Sequence, residues 1–132
     1  MWSTTPRWFG IDSGARMWAM ASQRFERAMG LMRKHDPQLR EDGFDFLREH
    51  ADSYVEDLIA AFEEEQNDRG LRCWLLELIA EARSPEALSL LASQLQSEDE
   101  SLRDWAIRGL EMLDTREAHQ ELYRARSNGW II

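Results

Sequence analysis

Cysteine is almost missing: Cys73 stands alone in 132 residues. That rules out an intrachain disulfide and a cysteine-based zinc site. The seven glycines are scattered, so there is no glycine-rich loop to cradle a phosphate. His35, His50 and His119 share no His-x-x-x-His or Glu-x-x-His spacing, and a helical zinc or di-iron site lacks its ligands. No apolar run approaches the roughly 18 residues needed to cross a bilayer. The opening Met1-Trp2-Ser3-Thr4-Thr5-Pro6-Arg7-Trp8 has no basic region followed by an apolar one, so a cytoplasmic protein with no membrane partner is expected. Basic residues are outnumbered 16 to 25, for a net charge of −9. Such a surface repels phosphate backbones, which argues against nucleic acid and favours a basic protein partner or simple solubility.

What is present is a repeat. Asp36-Pro37-Gln38-Leu39-Arg40 recurs as Asp68-Arg69-Gly70-Leu71-Arg72 and as Asp99-Glu100-Ser101-Leu102-Arg103, spaced by 32 and then 31 residues. The register continues through Phe44, Leu76 and Ile107, then Leu47, Ile79 and Leu110. Trp74 and Trp105 also correspond, with Asp42 in the first copy. A second set holds Val55, Ala87 and Ala118, then Ile59, Leu91 and Leu122.

Each segment has a helical period. Leu71, Trp74, Leu75, Leu78, Ile79 and Ala82 make one apolar stripe, which Leu102, Trp105, Ala106, Gly109, Leu110 and Leu113 repeat. Asp36-Pro37 and Ser84-Pro85 each supply an N-cap followed by proline at the first helical position. Ser53 with Glu56, and Ser97 with Glu100, have capping-box spacing. Helices are therefore predicted at Ser13–Lys34, Pro37–His50, Tyr54–Gln66, Arg69–Ala82, Pro85–Gln96, Glu100–Leu113 and Arg116–Ala125. Connections this short pack successive helices antiparallel.

From about Phe25 to Ala125 the pattern Asp-Pro-x-Leu-Arg followed by a spaced leucine resembles a HEAT repeat, particularly the short bacterial kind also found in phycobilin lyases. The resemblance implies an all-α, right-handed α-α superhelix, a HEAT-like solenoid of about three and a half helix pairs in a single domain. Its parts are an N-terminal tail (1–12), a capping half repeat (13–35), repeats at 36–67, 68–98 and 99–126, and a C-terminal tail (127–132). It also implies a ladder between repeats, with Asp36, Asp68 and Asp99 bridging to Arg40, Arg72 and Arg103. Gly43 and Asp42 depart from the pattern, and the first pair is expected to be looser or tilted.

No convergent catalytic set emerges. Cys73 has Arg72 beside it in sequence, but adjacent helical residues point about 100° apart, and a half-buried structural thiol is expected. The acidic runs Glu63-Glu64-Glu65 and Glu98-Asp99-Glu100 sit at helix ends without the shielding that acid–base catalysis requires. Glu63 to Glu65 lie at a helix C-terminus, where the helix dipole disfavours them. Trp74 and Trp105 are placed in the core between layers. Trp2, Trp8 and Phe9, with Gly129-Trp130-Ile131-Ile132, are expected either to cap the open ends or to form an interface.

By resemblance the second helix of each pair lines the concave side. Its exposed candidates are Glu56, Asp57, Glu63, Glu64, Ser89, Ser93, Glu117, Gln120 and Glu121. The expectation is a non-enzymatic protein-binding module, with no cofactor and no metal, whose partner-binding residues are Glu56, Asp57, Glu63, Glu64, Glu117, Gln120 and Glu121. An immunity protein against a basic toxin has this character. The alternatives are a small-molecule or chromophore handler using Trp18, Trp74 or Trp105, and a homodimer joined through the aromatic termini.

Overall fold

The computed structural model describes residues 21–132. The expected tail at 1–12, the beginning of the helix expected at Ser13–Lys34, and Trp2, Trp8, Phe9 and Trp18 lie outside the described residues. All regular structure among the described residues is helical, and no strand occurs there. The chain divides into two compact units between Gly43 and Phe44.

In the first unit, helix α1 is described over 21–32 and is followed by the start of α2, Pro37–Glu49. Asp36 caps α2 as its sequence position demands: Oδ1 accepts from the Gln38 N–H at 2.8 Å and the Leu39 N–H at 3.4 Å. Gly43 lies where α2 crosses α1, the half repeat that precedes the first pair. A Cβ built there would stand 2.5 Å from the Ala28 carbonyl oxygen and 2.9 Å from Leu31 Cβ. Glycine is present because α1 passes too close for any side chain, so this crossing is tight.

The second unit holds the rest of α2, then α3 (Val55–Glu64), α4 (Arg69–Ala82), α5 (Leu88–Gln94), α6 (Glu100–Leu113) and α7 (Arg116–Ser127). α4 packs most extensively on α6, α3 on α4, α5 on α6, and α7 on both α5 and α6. The result is two layers of paired helices, with α4 and α6 in one and α3, α5 and α7 in the other. Leu75, Leu76, Leu78 and Ile79 of α4 are fully buried between neighbours. Each such side chain contributes about 1.5–3 kcal/mol. Gly109 serves α6 as Gly43 serves α2, because a Cβ there would lie 2.8 Å from Leu91 Cδ2 and 3.1 Å from Ala80 Cβ.

Helix ends follow local chemistry. Asp68 Oδ1 accepts from the Leu71 N–H at 3.0 Å, and Thr115 Oγ1 from the Ala118 N–H at 3.1 Å. Ser84 Oγ accepts from the Glu86 N–H at 3.2 Å, but it opens a 3₁₀ turn, Pro85–Ala87, that runs into a shortened α5. The two capping boxes do not form. Ser53 lies inside a 3₁₀ turn, Ala51–Ser53, anchored by buried Ala51 and Tyr54, and α3 starts at Tyr54 without a side-chain cap. At α6 the cap is Asp99, and Ser97 Oγ instead accepts from the Asp99 N–H at 3.1 Å. α4 and α6 end at equivalent left-handed residues, Arg83 (φ 50°) and Asp114 (φ 51°). α7 closes with Gly129 at φ 76°, the Gly129 N–H donating to Arg126 and the Trp130 N–H to Ala125. That double bond pattern is a Schellman turn, which frees glycine's left-handed conformation for use. It sends Ile131 into a buried position and leaves Ile132 fully exposed.

Candidate partner-binding surface

The second helices expose different chemistry. On α3, Val55, Leu58 and Phe62 are buried, which turns Glu56, Ala60, Glu63 and Glu64 to solvent and leaves Asp57 half-buried. Ile59, the register equivalent of buried Leu91 and Leu122, is only half-buried, and its neighbour Leu58 is buried instead. On α5, Ser89 and Ser93 are exposed, with Ser93 Oγ donating to the Leu90 carbonyl at 2.6 Å. On α7, Glu117 and Gln120 are exposed, while Glu121 is half-buried and paired with Arg124 at 3.1 Å.

The seven candidates therefore fall into two surroundings. Along the sequence, Glu56, Asp57, Glu63 and Glu64 stand among further acids. Between residues 41 and 66 there are ten acids and a single base, Arg48. Asp45, Glu49 and Asp52 belong to that group and are exposed on α2 and the following turn. Selection of second-helix positions alone missed them, although a running charge count along the chain finds them. Glu117, Gln120 and Glu121 share α7 with Arg116, His119, Arg124 and Arg126. An open depression on that helix is lined by Arg116, His119, Gln120, Tyr123 and Arg124 and contains no acid.

The ladder expected between repeats takes another form. Asp36, Asp68 and Asp99 each cap their own helix. The bridge between copies runs from Arg69, not Arg72: its Nε and Nη2 both lie 2.9 Å from Asp99 Oδ2. Burial alone would raise the Asp99 pKa, but the Arg69 hydrogen bond and the Leu102 and Ser101 N–H groups hold it below the ordinary carboxylate value. Arg103 Nη1 donates to the Ser97 carbonyl at 2.7 Å. Arg72 lies over the Phe62 ring, 4.2 Å from its centroid.

Trp74 and Trp105 are half-buried, which corrects their placement in the core. Trp74 packs against Phe44 at 4.7 Å between ring centroids, and the Arg108 guanidinium covers Trp105 at 4.9 Å. Both point off the layer interface because Leu75, Leu78 and Ile79 already fill it. Cys73 is half-buried, and burial followed by the Asp99 charge pushes its thiol up, away from a reactive thiolate. Among the described residues no three His, Cys, Asp or Glu side chains are arranged to hold a metal ion. Nor is any helix there long and apolar enough to cross a membrane.

No curated protein and no solved structure matches the chain. The profile of HEAT repeats matches residues 55–130, more than half of its length. With the two layers of short paired helices, this places the chain in the HEAT-repeat family.

Proposed function

We propose that this chain is a non-enzymatic, cytoplasmic protein-binding module whose acidic face takes a basic protein, as an immunity protein takes a basic toxin. HEAT-type solenoids present extended surfaces suited to holding partners. The observation that carries the proposal is the concentration of charge along one stretch of chain: Asp45, Glu49, Asp52, Glu56, Glu63 and Glu64 are all exposed on α2, the turn and α3, and Asp57 is half-buried. A surplus of one charge sign speeds encounter with an oppositely charged protein and repels nucleic acid. Glu117, Gln120 and Glu121 have a lesser part in the proposal, because their neighbours on α7 are basic.

The test is capture from native lysate at low and high salt, with mass spectrometry of the eluate. A basic protein released by salt is expected. Glu56→Lys combined with Glu63→Lys should weaken its binding about tenfold or more and flatten the salt dependence, since both charges act within about a Debye length. Unchanged affinity in that double variant refutes the acidic face.

A further inference from the structure

A cavity of about 480 Å³ opens where the loop between α3 and α4 meets the loop between α5 and α6. Its wall includes Gln66, Arg69, Arg72 and Ser97, together with the acids Glu98 and Asp99. The acids and cations there are unequally engaged. Asp99 is fully occupied, with Oδ1 on the Ser101 and Leu102 N–H groups and Oδ2 on Arg69. Arg103 is turned onto the Ser97 carbonyl. Arg72 has no such anchor: its Nε is buried and has no hydrogen-bond acceptor among the described residues. Its guanidinium lies over the Phe62 ring, 4.2 Å from the centroid.

A guanidinium has five N–H donors and cannot shed its charge, so one held at the edge of a cavity without an acceptor is incomplete. A ring beneath a guanidinium constrains its plane without occupying its N–H groups, and the Nε–H of Arg72 is left without an acceptor among the described residues. Arg69 adds a second cation on the same wall, and its side chain is 81% exposed, so it can leave Asp99 for a better acceptor. Planar or tetrahedral oxyanions are what paired guanidinium forks recognise.

We propose that this cavity binds an oxyanion, a phosphate or carboxylate group carried by a small ligand, with Arg72 as the fixed cation and Arg69 as the mobile one. Asp99 is the internal competitor for Arg69, and the volume leaves room for the body of a ligand beyond its charged group. The site is independent of the acidic face on α3, and nothing in it requires the protein-binding proposal to hold.

The Nε–H signal of Arg72 can be followed by ¹⁵N NMR of the whole chain while inorganic phosphate, and separately acetate, is added at constant ionic strength. A saturable shift of that signal is expected. The anion that saturates it at lower concentration identifies the source as phosphate-bearing or carboxylate-bearing. Arg69→Met should raise the concentration needed at least threefold. Asp99→Asn keeps a capping side chain while releasing Arg69, and should lower that concentration about threefold or more. An Arg72 signal that both anions leave unmoved, or move only in linear proportion to concentration, overturns the proposal. So does a shift that is indifferent to both substitutions.

Discussion

α3 and α7 occupy the same place in the first and third helix pairs, yet they present opposite chemistry to solvent. By the repeat register Glu56 corresponds to His119, Ala61 to Arg124 and Glu63 to Arg126. Inward positions agree in kind: Val55 and Phe62 on one helix answer to Ala118 and Ala125 on the other, and all four are buried. The layer interface constrains what faces it and leaves the outer stripe open to change. A solenoid can therefore vary its partners without altering its packing. The two helices also differ in rotation. Leu122 is buried at the register position where α3 has half-buried Ile59, and α3 buries Leu58 beside it instead.

That rotation gives the largest expected effect. Leu58→Ala removes a fully buried side chain and should cost about 2–5 kcal/mol in denaturant unfolding. Ile59→Ala should cost less than half as much. On α7 the order shifts by one residue, with Leu122→Ala large and Glu121→Ala small. Equal losses at Leu58 and Ile59 would mean that α3 and α7 share one orientation, and the comparison would break.

An intermediate effect comes from the glycines. Gly109 lies where α6 meets Leu91 and Ala80, and Gly109→Ala should destabilise by about 1–3 kcal/mol through overpacking. Helix propensity alone favours alanine by about 1 kcal/mol, so the packing term must reverse the sign. Gly70, in the first turn of α4, has only Asp68 Oδ1 nearby at 3.6 Å. Gly70→Ala should be neutral or stabilising. Thermal unfolding of the two variants side by side decides whether helix-to-helix approach or propensity governs this unit.

How much of this was legible in the sequence depended on how local each cause is. The caps at Asp36, Asp68 and Asp99 follow from a side chain and the backbone two or three residues away, and the sequence contains all that is needed. The helical stripe of α4 is likewise a property of spacing. Trp74 and Trp105 were misplaced because period gives a face, and only the neighbouring helix decides how far around that face burial extends. The bridge to Asp99 passed to Arg69 for the same kind of reason: Arg72, at the family's position, lies on Phe62 of a different helix. Glu56, Asp57, Glu63 and Glu64 could be selected as α3 surface residues from their period alone. Asp45, Glu49 and Asp52 lie on another helix and a turn, so the period of α3 does not reach them, although the run of acids along the chain does.

The smallest effect distinguishes two carboxylates by pH. Asp99 has its pKa lowered in the fold, so its contribution is present above the ordinary value near 3.8 and disappears as pH falls through the folded value. Glu77, half-buried on α4, is shifted the other way: burial raises its pKa, Arg48 and Arg108 oppose the rise, and Glu81 adds to it. Its protonated form therefore favours the fold, and stability should fall as pH climbs from about 4.5 through the raised folded value. Glu77→Gln should remove that decline and raise stability near neutrality, by less than about 1 kcal/mol because the side chain keeps much of its solvent. Asp99→Asn should flatten only the acid limb. Urea unfolding from pH 3 to 7 measures both, and a neutral-pH loss in Glu77→Gln would show that its pairing with Arg48 and Arg108 outweighs the cost of burying it.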